Sequence, residues 1–141
     1  MRPQRVAAGI LVLGSLFGLG LAALWGGFNP WTAGFFLVQL IAAIAAWRGD
    51  SAASLSLAVL QAPQVVFFTT PSLGWQCFTG VLFGLQFLPN AEDNLSLLAG
   101  FGSGLTYTWA NPPSLTSYGV NIAAVVLLFL LVLNRRSSTA V

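Results

Sequence analysis

Residues 73–110 read LGWQCFTGVLFGLQFLPNAEDNLSLLAGFGSGLTYTWA. Two apolar runs, 73–88 and 95–110, flank a polar tip that carries Glu92 and Asp93. Either each run crosses a bilayer as a short helix, or the pair enters and returns as a re-entrant hairpin. At about 1.5 Å rise per residue, a 16-residue helix reaches about 24 Å, short of a hydrocarbon core of about 30 Å. A re-entrant hairpin would hold both carboxylates inside the membrane, where an unpartnered ion costs several kcal/mol. Local thinning of the bilayer accommodates short spans. Two crossings are therefore the expectation and the re-entrant hairpin is the alternative.

The medium comes from composition. The chain has 141 residues, 57% hydrophobic and 6% charged, with a net charge of +2. A soluble domain carries roughly 25% charged residues, and a small one has a large surface to cover. Eight charges do not coat such a surface, so the chain is read as one integral membrane domain, 1–141, with lipid as its main partner. There is no clustered basic face for nucleic acid.

Apolar segments fall near 6–27, 31–47, 52–69, 73–88, 95–110 and 118–134, separated by turn-rich stretches such as FNPW, RGDS and ANPPS. The expected fold is all-α: a polytopic helical bundle of six short spans arranged as three helical hairpins, or four spans plus the re-entrant hairpin. Pro30, Pro71 and Pro112 stand at equal intervals in the turns, which suggests a two-helix repeat. The first segment, from Val6, is longer than the apolar core of a secretory signal, and is read as a retained helix. With six spans, Arg2, Arg5, Arg48, Arg135 and Arg136 all fall on one side. Arginine bias marks the cytoplasmic side, so both termini are expected in the cytoplasm, with a bacterial inner membrane as the location.

Helices in lipid associate through close backbone approach and hydrogen bonds. Gly14, Gly18, Ala22 and Gly26 recur every fourth residue and form a small-residue face, suited to packing within the chain or against another copy or subunit. Gly100-Phe101-Gly102-Ser103-Gly104 is read as another close helix contact, with an unwound stretch lining a cavity as the alternative. The tryptophans sit near predicted span ends, where indole rings anchor. Tyr107 and Trp109 flank Thr108 and would point to different faces of a helix.

Catalytic chemistry is missing from the sequence. There is no histidine or lysine, and no carboxylate or arginine lies within a predicted span. Cys77 has no nearby cation to make it a thiolate, and the serines have no base. No enzyme activity, metal or cofactor is expected. What remains is neutral polarity, including Gln39, Gln61, Gln64, Gln76, Thr79 and Asn121, which must find partners in hydrocarbon.

The stretch Gln61-Ala62-Pro63-Gln64 concentrates that polarity. Proline lacks an N–H and disrupts the preceding turn, while Gln61 and Gln64, three apart, share a helix face. An amide can reach a carbonyl freed by the break. The expected feature is a kink whose freed groups are satisfied locally; the alternative is a polar notch or solute path built from Gln61, Pro63, Gln64 and Gln76. The dipeptide Pro63-Gln64 resembles the motif of PQ-loop and SWEET-type sugar transporters. Those proteins repeat three helices with the motif usually in the first; here it occurs once, in the third segment, so no membership follows. The functional expectation is a non-catalytic membrane subunit or assembly protein that forms homo- or hetero-oligomers through its small-residue faces. The alternative is a facilitative channel or transporter for a small uncharged polar solute.

Overall fold

A computed structural model of the chain describes residues 3–24, 30–90, 92, 94–109 and 116–133. Helices α1 (Pro3–Leu24), α2 (Pro30–Trp47) and α3 (Ser51–Gln61) come first. A single 3-10 turn, Ala62–Gln64, leads into strands β1 (Val66–Thr69), β2 (Leu73–Phe87), β3 (Leu95–Trp109) and β4 (Ser117–Asn121), and helix α4 (Ile122–Leu133) follows. The fold is α/β with one four-stranded antiparallel sheet, in the order β1-β4-β2-β3.

The all-α expectation is thereby overturned, in its six-span form and in its four-span alternative. The first two apolar segments do form helices long and apolar enough to cross a bilayer, over Pro3–Leu21 and Pro30–Trp47. The third stops at Gln61, because Pro63 ends the helical ladder and the chain turns into β1. The fourth and fifth instead hold the strands β2 and β3. The sixth divides into β4 and α4, and a 12-residue helix is about 18 Å long. The proline-spaced units contain different structures, a helix pair first and mixed helix and strand afterwards. A multi-pass bundle of helical hairpins is not formed.

The physical reason for the strands lies in residue parity. In β2 the odd positions are Leu73, Trp75, Cys77, Thr79, Val81, Phe83, Leu85 and Phe87, while the even positions carry Gly74, Gln76, Phe78, Gly80, Leu82, Gly84 and Gln86. In β3 the even positions 100–108 read Gly, Gly, Gly, Thr, Thr, and the odd ones include Phe101, Leu105, Tyr107 and Trp109. This is a period of two, with most of the aromatic residues on one face and all of the glycines, costly to a helix, on the other. The two strands pair without interruption from Leu73↔Trp109 through Gly80↔Gly102 to Phe87↔Leu95.

The other strands close a ring. β1 pairs with β2 at Phe68↔Trp75, and with β4 from Val66↔Val120 to Thr69↔Ser117. β4 also pairs with the far end of β2, from Gly84↔Asn121 to Phe87↔Tyr118. All three pairings are antiparallel, and three straight strands cannot be mutually antiparallel. β2 must therefore turn over between Trp75 and Gly84. Gly80, with φ +83°, lies midway and adopts a conformation that L side chains rarely take.

The helices pack in series. Gly9 of α1 lies beneath the Trp47 ring, and Gly18 faces Phe36, so α1 and α2 run antiparallel. Asp50 caps α3 by accepting from the N–H groups of Ala52 and Ala53. The apolar core is narrow and rich in alanine: Ala7, Ala8 and Leu11 of α1, Ala43 and Ala46 of α2, Leu57 and Ala58 of α3, and Leu127 and Leu131 of α4.

Candidate functional site: a buried amide cluster

Where α2, α3 and β2 meet, the interior is polar. Gln39 Nε2 donates to Gln61 Oε1 (3.2 Å), and the Thr79 hydroxyl donates to Gln39 Oε1 (2.9 Å). All three side chains are at most 1% exposed. Each element supplies its member by its own periodicity. Gln39 recurs with the buried Phe36 and Ala43 on one face of α2, Gln61 is the last residue of α3, and Thr79 shares the inward face of β2 with Cys77.

The break at Pro63 extends this polarity. Gln64 is fully buried, and its Nε2 donates to the Leu60 carbonyl (3.3 Å). Trp75 Nε1 donates to the Pro63 carbonyl (3.0 Å), tying the start of β2 to the turn. Asn121 ends β4 and opens α4. Its Oδ1 accepts from the Ala124 N–H (3.3 Å), as an N-cap does, and from the Phe83 N–H of β2 (3.4 Å). Its backbone N–H reaches the Val65 carbonyl (2.8 Å). Three buried polar atoms, Ser15 Oγ, Gln64 Oε1 and Asn121 Nδ2, have no hydrogen-bond partner among the described residues.

Of the residues singled out in the sequence, Gln61, Pro63 and Gln64 stay together around one turn. Gln76 does not join them: it is three positions from Thr79 in the same strand and projects from the opposite face. Gln39, Thr79 and Asn121 complete the cluster, and their only signal in the sequence is amide or hydroxyl character within apolar segments. Gly14 and Gly18 lie against other parts of the same chain. A Cβ on Gly14 would meet the Gly80 backbone at 2.3 Å, and one on Gly18 would meet Phe36 at 2.8 Å and Ser103 at 2.9 Å. The Ser103 hydroxyl donates to the Gly14 carbonyl. Ala22 lies near the end of α1, and Gly26 is outside the described residues, as are Arg2, Asp93, Arg135 and Arg136.

One reading changes sign. Tyr107 and Trp109, expected on different helix faces, stand two apart in a strand and share a face. Their rings meet edge to face at 5.0 Å, and Tyr107 meets Trp75 across the β2–β3 pair at 6.5 Å. Cys77 is 2% exposed and lies in the inward face of β2. No group of three or more potential metal ligands occurs among the described residues. The arrangement supplies donors and acceptors but no nucleophile with a base: Gln39 and Gln61 bond to each other, while Gln64 and Asn121 bond to backbone groups and each leave one polar atom without a partner among the described residues. Compared with family models, curated proteins and solved structures, the chain finds no match.

Proposed function

We propose that this chain is a non-catalytic, bilayer-embedded protein, anchored by α1 and α2, that works by binding a partner. The observation that carries the reading is an inverted distribution of polarity. Gln39, Gln61, Gln64, Asn121 and Thr79 are among the largest fully buried side chains, whereas Leu13, Leu37, Ile41 and Phe129 are each at least 50% exposed. Water drives the opposite arrangement. Lipid tolerates it, because apolar groups gain little by leaving an apolar solvent while buried amides hold the elements together.

The anchoring helices fit this medium. α2 is 18 residues, about 27 Å long, close to a hydrocarbon core of about 30 Å. Trp31 and Trp47 bracket it, as indole rings do at the two interfaces. Only 28% of α2 and 33% of the α1 span are buried within the protein, whereas a core helix of a soluble domain is mostly covered. Arg5 and Arg48 are both exposed. The antiparallel packing puts them at the same end of the pair, which the arginine bias assigns to the cytoplasm.

Partner binding is supported by β3. It is the outer strand of the sheet, 15 residues long, without charge or proline. Hydrocarbon offers nothing to the backbone groups along such an edge, and in water the same edge recruits other strands. Leu95, Leu97, Phe101 and Trp109 are each at least 59% exposed along it. A strand from a partner satisfies both the backbone and these side chains. The conduit alternative needs its amides to face one path, which Gln76 does not share with Gln61 and Gln64.

Alkaline carbonate washing of membranes that contain the protein tests the anchoring. Retention in the pellet supports it, and release as a soluble species sinks it. Amide exchange measured across residues 95–109 tests the partner. Slow exchange in the native assembly that becomes fast on dissociation is expected; equally fast exchange in both states removes the partner strand.

A further inference from the structure

Arg48 follows directly on α2, and its guanidinium has neither an ion pair nor a hydrogen bond among the described residues. The neighbouring carboxylate, Asp50, is engaged with the first N–H groups of α3, at 2.8 Å and 3.2 Å. Arg48 borders two apolar grooves. One, of about 500 Å³, runs between Arg48 and Asp50 at one end and Ile41, Ile44 and Ala45. The other, of about 280 Å³, is bounded by Val12, Ile44, Trp47 and Arg48. Ile44 is the ridge that both grooves share.

The second groove is a built feature. Gly9 of α1 has no side chain, and a Cβ there would stand 2.3 Å from the Trp47 ring. The ring can therefore lie across α1 and form a wall. Ile41 and Ile44 sit seven and four residues before Arg48, so the grooves lead about 6–10 Å along α2 away from the charge. With α1 and α2 in the bilayer, that direction points from the interface toward the hydrocarbon.

We propose that this end of the α1–α2 pair is a binding site for a two-chain anionic phospholipid. The phosphate sits on Arg48, one acyl chain follows the Ile41–Ile44 groove, and the other follows the Val12–Trp47 groove. Charge complementarity selects the headgroup, since a guanidinium binds phosphate through paired N–H donors. Two grooves that border one cation, on either side of Ile44, select a diacyl ligand over a single-chain amphiphile or a free anion. Asp50 lies beside the headgroup position, and its charge is directed to the α3 N-terminus, where the helix dipole favours it. The proposal rests on the membrane reading above.

The test uses the full chain, purified in mild detergent and titrated with phosphatidylglycerol or phosphatidylcholine, with bound lipid counted by native mass spectrometry. One phosphatidylglycerol is expected to bind at least tenfold more tightly than phosphatidylcholine. Arg48→Gln should abolish that preference, and Arg48→Lys should keep part of it. Ile44→Trp, which fills both grooves and leaves the charge, should weaken both lipids. Equal binding of the two lipids by the native chain overturns the proposal, as does phosphatidylglycerol binding that Arg48→Gln leaves unchanged. Binding of glycerophosphoglycerol as tight as that of the lipid overturns the role of the grooves. Carbonate extraction is read separately: a protein that stays in the pellet but shows no lipid preference keeps its membrane assignment and loses this site.

Discussion

Gly14 of α1 lies directly against Gly80 at the turnover of β2, so that a Cβ on Gly14 would stand 2.3 Å from the Gly80 nitrogen and 2.6 Å from its Cα. Both atoms are backbone and cannot swing aside. Gly14→Ala is expected to lower stability by about 1–3 kcal/mol or more through overpacking. Gly20→Ala in the same helix meets nothing within 4 Å and should be neutral, or stabilise by up to about 1 kcal/mol through helix propensity. Thermal unfolding of the two variants in one detergent distinguishes them; equal behaviour would mean that α1 does not rest on the bend.

The amide pair Gln39–Gln61 offers an energetic test. Gln39→Leu removes the partner of both Gln61 Oε1 and the Thr79 hydroxyl, and each buried orphan costs about 1–3 kcal/mol. Gln61→Leu should cost less, because Thr79 keeps its acceptor. The Gln39→Leu/Gln61→Leu double variant should be less destabilised than the sum, with a coupling of about 0.6–2 kcal/mol. Strict additivity in a chemical unfolding series would show that the two amides do not interact.

Asn121 joins three elements through one side chain and its backbone. Asn121→Ala deprives α4 of its N-cap acceptor and frees the Phe83 N–H. A loss of about 1–2 kcal/mol is expected. Asn121→Ser retains a capping oxygen on a shorter stem, and should recover part of it. Identical unfolding midpoints for both variants would remove the capping role.

Cysteine labelling reads burial and sidedness together. Cys77 is 2% exposed and should resist a membrane-permeant maleimide until the protein is denatured. Ser51→Cys places a thiol at the exposed start of α3, next to the Arg48 end of α2. In right-side-out vesicles it should stay unlabelled by an impermeant reagent and label once the vesicles are opened. Labelling from outside would reverse the proposed orientation.

The two long helices are legible from length and continuous apolarity, over 22 residues in α1 and 18 in α2, but the cue is not specific to helices, because β2 and β3 carry it over 15 residues each. The strands resemble helices in the sequence for a geometric reason. Glycines four apart, as at Gly80 and Gly84 or Gly100 and Gly104, lie near one helical turn and also at twice the strand period. Gly102, between two of them, and the even-numbered Gln76, Gln86, Thr106 and Thr108 decide for the strand. Assuming a helix also separated Tyr107 from Trp109. The break at Pro63 was legible in its own dipeptide, but not that the chain leaves it as β1. Gln39 and Thr79 are forty residues apart, and no local pattern announces that their side chains meet.

The ring of pairings among β1, β2 and β4 has a consequence for how the molecule is made. α1, α2, α3 and the β2–β3 hairpin each form from neighbours in the chain, and can take shape as synthesis proceeds. β1 gains its full-length partner only when Ser117–Asn121 arrives. α4, which brings Leu127 and Leu131 to the alanine-rich core, follows directly. The β4–α4 segment, Ser117–Leu133, therefore closes the fold. A chain that lacked Ser117–Asn121 would carry Phe67, buried in the fold and laid across Gly119, uncovered on an open strand, the kind of edge that aggregates.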